Sequence, residues 1–210
     1  LVAQSLTQGM GSRALSLLNW TFFKQSGTVG FEDYDRKRHF GTWINEPNDD
    51  SCQNTRAKVL VRDSVTKVTF KEGKKCEVER GTWKDPYTRN IYYSAADIQI
   101  DHFVPLKNAY QSGAWKWNFY TRCLYANYMG NPIHLISVQG KANMAKSDKS
   151  PDQWLPPNKT YRCEYLRNWL IVKLIWRLEL TAGESEGIKK ALIQYKCPLN
   201  GYSIDIADFQ

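Results

Sequence analysis

Apolar and polar residues alternate along Asp97-Ile-Gln-Ile-Asp-His102 and then give way to Phe103-Val104-Pro105-Leu106. This spacing predicts a short strand that stops at Pro105, which cannot continue a central ladder. Neighbouring side chains on a strand point to opposite faces, so Asp101 and His102 can do different jobs. A second strand-like run, Ile133-His134-Leu-Ile-Ser-Val138, follows. Directly after it, Lys141-Ala-Asn143-Met-Ala-Lys146-Ser-Asp148-Lys149 is polar and helix-compatible as far as Pro151. The order is a strand bearing Asp-His, a long connection, a strand, and a short helix bearing Asn143.

Elsewhere the pattern is less regular. Thr55 is placed to cap a helix over Arg56–Asp63 that carries Arg62. Alternation from Val65 through Val78, then Cys76–Arg80 and Gly81-Thr-Trp83, predicts a hairpin. Asp85-Pro-Tyr-Thr88 reads as a turn. The connection 107–131 is too long to lack structure in a compact domain, so it is expected to contain a helix. Its aromatics, among them Trp115, Trp117, Phe119, Tyr120, Tyr125 and Tyr128, are either core or a base-stacking surface beside Lys116 and Arg122. A helix over 159–180 ends near Gly183, and a second over 188–195 stops before Cys197-Pro198. Residues 1–30 carry no visible chemistry, though Ser16–Phe23 has the apolar content to pack on the body, with a turn near Gly27 and Gly30. The tail after Asn200 has no assignable pattern.

Composition narrows the class. A chain of 210 residues with 42% hydrophobic content has the makings of a globular core. Its net charge of +8, from 29 Lys+Arg against 21 Asp+Glu, suits a polyanionic partner. Residues 53–90 are the most basic long stretch, with ten Lys+Arg against five Asp+Glu, and form either a groove wall or a solvated face. No uncharged apolar run is long enough to span a bilayer, and no signal peptide is visible. None of the five cysteines forms a Cys-x-x-Cys pair, so a zinc ribbon is not expected. Cys163 opens one predicted helix and Cys197 follows the next, which suggests that pair first and Cys52–Cys76 second. Cys123 is then the odd thiol; five reduced, buried cysteines are the competing reading. Disulfides favour an oxidising compartment, secreted or periplasmic. Asn19-Trp-Thr21 and Asn158-Lys-Thr160 fit the N-glycosylation triplet.

The Asp101-His102-Phe-Val-Pro-Leu106 box, the second strand and the helix with Asn143 together resemble the HNH nucleases, and most nearly the secreted and GmrSD-like HNH endonucleases. The run Lys141–Asp148 is also similar to the HNH helix of CRISPR RNA-guided nucleases. The likeness extends roughly from Tyr34 to Cys197. It takes in Asn54-Thr-Arg56, Val59–Ser64, Gly81–Thr88 and Trp154-Leu-Pro-Pro-Asn158.

The resemblance implies an α+β fold: a ββα-metal core wrapped by helices, with an N-terminal β-hairpin addition. The division expected is an extension over 1–30, a nuclease domain over 31–198 with its core at 95–150, and a tail over 199–210. It implies one divalent cation, Mg2+ or Mn2+, held by Asp101 and Asn143, with His102 as general base. These roles fit the residue types. A carboxylate and an amide offer hard oxygens to magnesium, which keeps several waters. Neutral imidazole accepts a proton near pH 7. His134 stands where the family often has Asn; it either braces the loop that holds the base or is a third metal ligand. Asn127 and Asn131 are candidates for the missing amide. Arg122, Lys141, Lys146 and Lys149 are candidate phosphate contacts. For an isolated Asp-His pair, a buried structural histidine competes; the ordered helix and flanking boxes favour a metal site.

The expected activity is metal-dependent phosphodiester hydrolysis on double-stranded DNA with little sequence preference, by a monomer with no membrane partner. The alternatives are an RNase, a nuclease for modified DNA, or a catalytically dead nucleic-acid-binding or toxin-like protein.

Overall fold

The computed structural model describes residues 34–45 and 49–198, plus the backbone of three two-residue strands, Leu15–Ser16, Gln25–Ser26 and Ser203–Ile204. Leu15–Ser16 pairs antiparallel with Ser203–Ile204, and Gln25–Ser26 runs parallel to Leu180–Thr181. The rest of the expected extension and tail, including the Asn19 triplet and the side chains of Ser16–Phe23, lies outside the described residues.

The elements in chain order are α1 (Arg36–Phe40), α2 (Thr55–Asp63), β1 (Thr69–Lys71), β2 (Lys74–Lys84), β3 (Ile91–Ser94) and β4 (Ile98–His102). They continue with α3 (Leu106–Gln111), α4 (Phe119–Ala126), β5 (Leu135–Gln139), α5 (Gly140–Lys146), α6 (Arg162–Ile175) and α7 (Ala182–Gln194). The fold is α+β. β4 and β5 pair antiparallel over their whole length, from Ile98 opposite Gln139 to His102 opposite Leu135. α5 leaves β5 without a loop and packs on both strands, giving a ββα order.

The hairpin expected around Gly81 is instead a three-stranded meander, β1–β2–β3. β2 runs unbroken through Gly81, and the turn sits at Gly73, whose φ is +68°. Gly81 serves close approach: a Cβ there would lie 2.7 Å from Ser64 Oγ, which accepts Thr82 N–H at 2.9 Å.

Two buried clusters flank the β4–β5 pair. Ile98, Ile100 and Leu135 join Val59, Leu60 and Trp83 beneath the meander. Phe103, Val104 and Val138 join Tyr125, Leu166 and Trp169 under the helices. α2 is capped by Asn54, whose Oδ1 accepts Ala57 N–H at 3.0 Å, so Thr55 is the first helical residue rather than the cap. α6 is shorter than the expected 159–180 and is preceded by a 3-10 turn over Lys159–Tyr161. α7 begins before the expected Ile188, because Thr181 and Glu184 form a reciprocal capping box, and Gly183 lies inside the helix.

Cys163–Cys197 and Cys52–Cys76 are disulfide-bonded and Cys123 is free. Among the described residues no helix is long and apolar enough to cross a membrane.

Candidate active site

The end of β4 and the face of α5 border an open cleft of about 320 Å³. Asp101, His102 and Asn143 all line it. Tyr34 and the first residue of α1, Arg36, form one wall, and Lys107 and Asp148 close another side as an ion pair at 2.8 Å.

Asp101 is held on both oxygens. Tyr87 Oη donates to Oδ2 at 2.5 Å, and Lys146 Nζ to Oδ1 at 2.8 Å. The same ammonium also donates to His102 O at 3.1 Å. Burial pushes the Asp101 carboxyl up, against the pull of Lys146 and Tyr87. Burial likewise pushes Lys146 down, against the pull of Asp101. A buried carboxylate needs this compensation to stay charged.

Tyr87 is aimed by its own turn. Asp85 accepts from Tyr87 N–H at 3.1 Å and from Thr88 N–H at 3.0 Å. Asn158 binds the two carbonyls of that turn, Pro86 O through Nδ2 and Tyr87 O through its backbone N–H, each at 2.9 Å. The Asp85–Thr88 and Trp154–Asn158 boxes thus meet behind Asp101.

His102 is buried, and its Nε2 donates to Ala126 O at 2.8 Å. A carbonyl can only accept, so this bond fixes the proton on Nε2 and leaves Nδ1 as a lone pair. Nδ1 has no hydrogen-bond partner among the described residues. Burial holds the imidazole well below its ordinary pKa, hence neutral at pH 7. Its ring lies flat on Trp43, with centroids 5.1 Å apart and planes 3° apart.

Asn143 is anchored through its amide nitrogen, which donates to Gln99 Oε1 at 2.9 Å. Its Oδ1 accepts nothing among the described residues and remains available as a hard oxygen. Asp101 retains lone pairs beyond the two it uses. A carboxylate and an amide oxygen bordering one cleft fit magnesium, which takes few protein ligands. No cluster of three or more His, Cys, Asp or Glu suited to a metal exists among the described residues.

Of the two roles expected of His134, its contacts fit bracing; the roles expected of Asn127, Arg122 and Lys146 need correction. His134 is buried, with Nε2 donating to Tyr125 O at 2.7 Å and the ring packed against Tyr125, Tyr128 and Trp176. It braces the carbonyl next to the one that holds His102, and it is not in position as a third ligand. Asn127 is not at the cleft either. Its side chain binds Ile44 N–H and Thr55 Oγ through Oδ1, and Thr42 O and Cys123 O through Nδ2. Arg122 spends its guanidinium on His39 O at 2.8 Å and on Trp117 O, so it is a clamp between α1 and α4 rather than a phosphate contact. Lys146 is wholly buried on Asp101 and cannot meet a phosphate at the surface. Lys149 is exposed and donates to Ala145 O at 2.9 Å. Lys141 is exposed on the first turn of α5. Asn131 is buried and caps Ile133 N–H at 3.0 Å.

Other flanking boxes secure the β4–β5 pair. Arg56 donates to Ile98 O at 3.2 Å, Arg62 to Leu135 O, and Asp63 accepts Ser137 N–H at 2.9 Å. Tyr87, Gln99, Trp43 and Arg36 also border or support the site, without an expected role. A tyrosine in a capped Asp-Pro-Tyr-Thr turn was a signal for the first; Trp43 and Arg36 sit in a segment with no periodicity to reveal them.

A family profile described as "GmrSD restriction endonucleases, C-terminal domain" matches residues 54–191, which include Asp101, His102 and Asn143. The chain is also similar to an "Uncharacterized secreted protein" of Arthroderma benhamiae, 36% identical over 181 residues, covering 86% of this chain and 84% of the relative. No solved structure matches.

Proposed function

The chain belongs to the family of GmrSD restriction endonuclease C-terminal domains, and from that premise we propose that it is a divalent-metal-dependent endonuclease hydrolysing phosphodiester bonds. The observation that carries this reading is the His102 imidazole: neutral, with its proton fixed on Nε2 by Ala126 O, on a residue that borders the cleft with Asp101 and Asn143.

His102 Nδ1 takes a proton from the attacking water as its oxygen bonds to phosphorus, and the ester P–O bond opposite breaks. Ala126 O holds the ring in its working tautomer, and His134 braces the adjacent carbonyl of Tyr125. Asp101 and Asn143 Oδ1 would hold the cation, which when bound neutralises charge on the phosphoryl and leaving oxygens. Tyr87, Lys146 and Gln99 fix the two ligands in advance.

The favoured substrate is double-stranded DNA with little sequence preference; the net charge of +8 suits such a polyanion. By resemblance the ends left are 5′-phosphates. We infer a secreted protein, supported by the two disulfides and by the description of the Arthroderma benhamiae relative as a secreted protein.

Supercoiled plasmid and a structured RNA, incubated with the chain across Mg2+, Mn2+, Ca2+ and Zn2+, test the reading. Nicking of plasmid in Mg2+ or Mn2+, abolished by EDTA, is the expected result. Cleavage that persists under full chelation overturns the metal-dependent mechanism.

A further inference from the structure

The family segment begins at Asn54, yet one wall of the cleft comes from upstream of it. Tyr34 and Arg36 line the cleft, and Trp43 covers the face of the His102 imidazole.

Trp43 is held there. Asn127 ties the backbone on both sides of it, accepting Ile44 N–H at 3.1 Å and donating to Thr42 O at 3.1 Å. Thr55 Oγ fixes the same Asn127 oxygen at 2.7 Å. One hydrogen bond at Nε2 leaves an imidazole free to swing about that contact. A flat indole against its face removes that freedom.

Arg36 is exposed, with its guanidinium 5.8 Å over the Trp43 ring. It makes no ion pair among the described residues, whereas Lys107, the other cation lining the cleft, is paired with Asp148. A guanidinium resting on an indole keeps its N–H edge for a bidentate phosphate contact.

The 181 residues aligned with the Arthroderma benhamiae relative are more than lie between Asn54 and the last residue. That likeness therefore runs upstream of the family segment, into the part of the chain that includes this wall.

We propose that the segment from Tyr34 to Ile44 is a working part of the cleavage site: Trp43 is a positioning residue for His102, and Arg36 grips a phosphate of the bound nucleic-acid strand. This rests on the nuclease reading and extends it to a part of the chain that the family segment omits.

The test uses the full chain as wild type, Trp43→Ala, Trp43→Phe and Arg36→Ala. Cleavage of a labelled duplex in Mg2+ gives kcat and KM. Binding of the same duplex in EDTA over a salt series gives Kd and its salt slope. Trp43→Ala lowers kcat by about 10- to 100-fold through misplacement of the base, with KM little changed. Trp43→Phe, which keeps an aromatic face, recovers most of that loss. Arg36→Ala weakens binding about tenfold and reduces the log–log salt slope by about 0.9, one phosphate contact.

A wild-type kcat in Trp43→Ala overturns the positioning role, as does a Trp43→Phe variant that folds yet is no better than Trp43→Ala. A wild-type salt slope in Arg36→Ala overturns the phosphate contact. The Arg36 arm is read by binding alone. A wild-type chain that binds but never cuts therefore defeats the nuclease reading separately, and with it the role given to Trp43.

Discussion

Lys146 Nζ lies 2.8 Å from Asp101 Oδ1, the lysine wholly buried and the aspartate nearly so. The pair joins the last residue of α5 to the strand that carries His102. Removing one partner of a buried pair leaves an uncompensated charge, at a cost of about 3–5 kcal/mol. Lys146→Met should therefore lower unfolding free energy in EDTA by about that amount. A cation bound at Asp101 replaces part of the missing charge. Mg2+ should then recover more stability in the variant than in wild type, measured by urea unfolding with and without the metal. Equal Mg2+ effects on both proteins would argue against Asp101 as a ligand.

Acid should weaken the fold through histidine. Burial pushes His134 down to about 4, while the unfolded side chain titrates near 6.5. Between these values the unfolded chain binds more protons, so the stability held above about pH 6.5 is lost as pH falls toward 4, roughly 3 kcal/mol in all. His102 is shifted in the same direction and adds to the loss. In His134→Gln, an amide can still donate to Tyr125 O but does not titrate. Its urea midpoint should fall less between pH 7 and 4.5 than that of wild type, and parallel curves would contradict this.

The ligand amide should respond to its anchor. Asn143→Ala removes Oδ1, and cleavage should fall below one hundredth of wild type. Gln99→Leu leaves Oδ1 in place but unanchored. The Mg2+ concentration for half-maximal cleavage should rise by about 10- to 100-fold, as for other supports of metal ligands. An unchanged Mg2+ requirement in Gln99→Leu would remove Gln99 from the site.

The disulfides should matter for stability more than for chemistry. Cys163–Cys197 closes a sequence separation of 34 and Cys52–Cys76 one of 24. Loop-closure entropy assigns each about 3–4 kcal/mol. Double serine variants should melt lower by differential scanning calorimetry. The Cys52/Cys76 pair, away from the cleft, should still cut DNA at 25 °C.

The ββα order was legible because each element has a local signal: alternation around Asp101, a second apolar run, and polar helix-compatible residues up to Pro151. Cys163–Cys197 was legible because one cysteine opens a predicted helix and the other follows the next, whereas Cys52–Cys76 followed only as the second choice. Gly183 misled because glycine usually ends helices, whereas the Thr181–Glu184 capping box outweighs it here. Gly81 misled for a related reason: its lack of a side chain serves packing against Ser64, not a turn. Lys146 and Arg122 look like surface cations in sequence. Only the packing of α5 on the β4–β5 pair, and of α4 on α1, turns Lys146 to a buried partner and Arg122 to a half-buried one. Trp43 reaches His102 across a long stretch of chain, and such a contact leaves no periodic trace.

The most direct measurement is plasmid cleavage by His102→Ala in Mg2+, beside duplex binding in EDTA. Loss of the general base should cut the rate by about 10²- to 10⁴-fold while binding persists. A variant that binds and still cleaves at the wild-type rate would mean that the imidazole held by Ala126 is not the base.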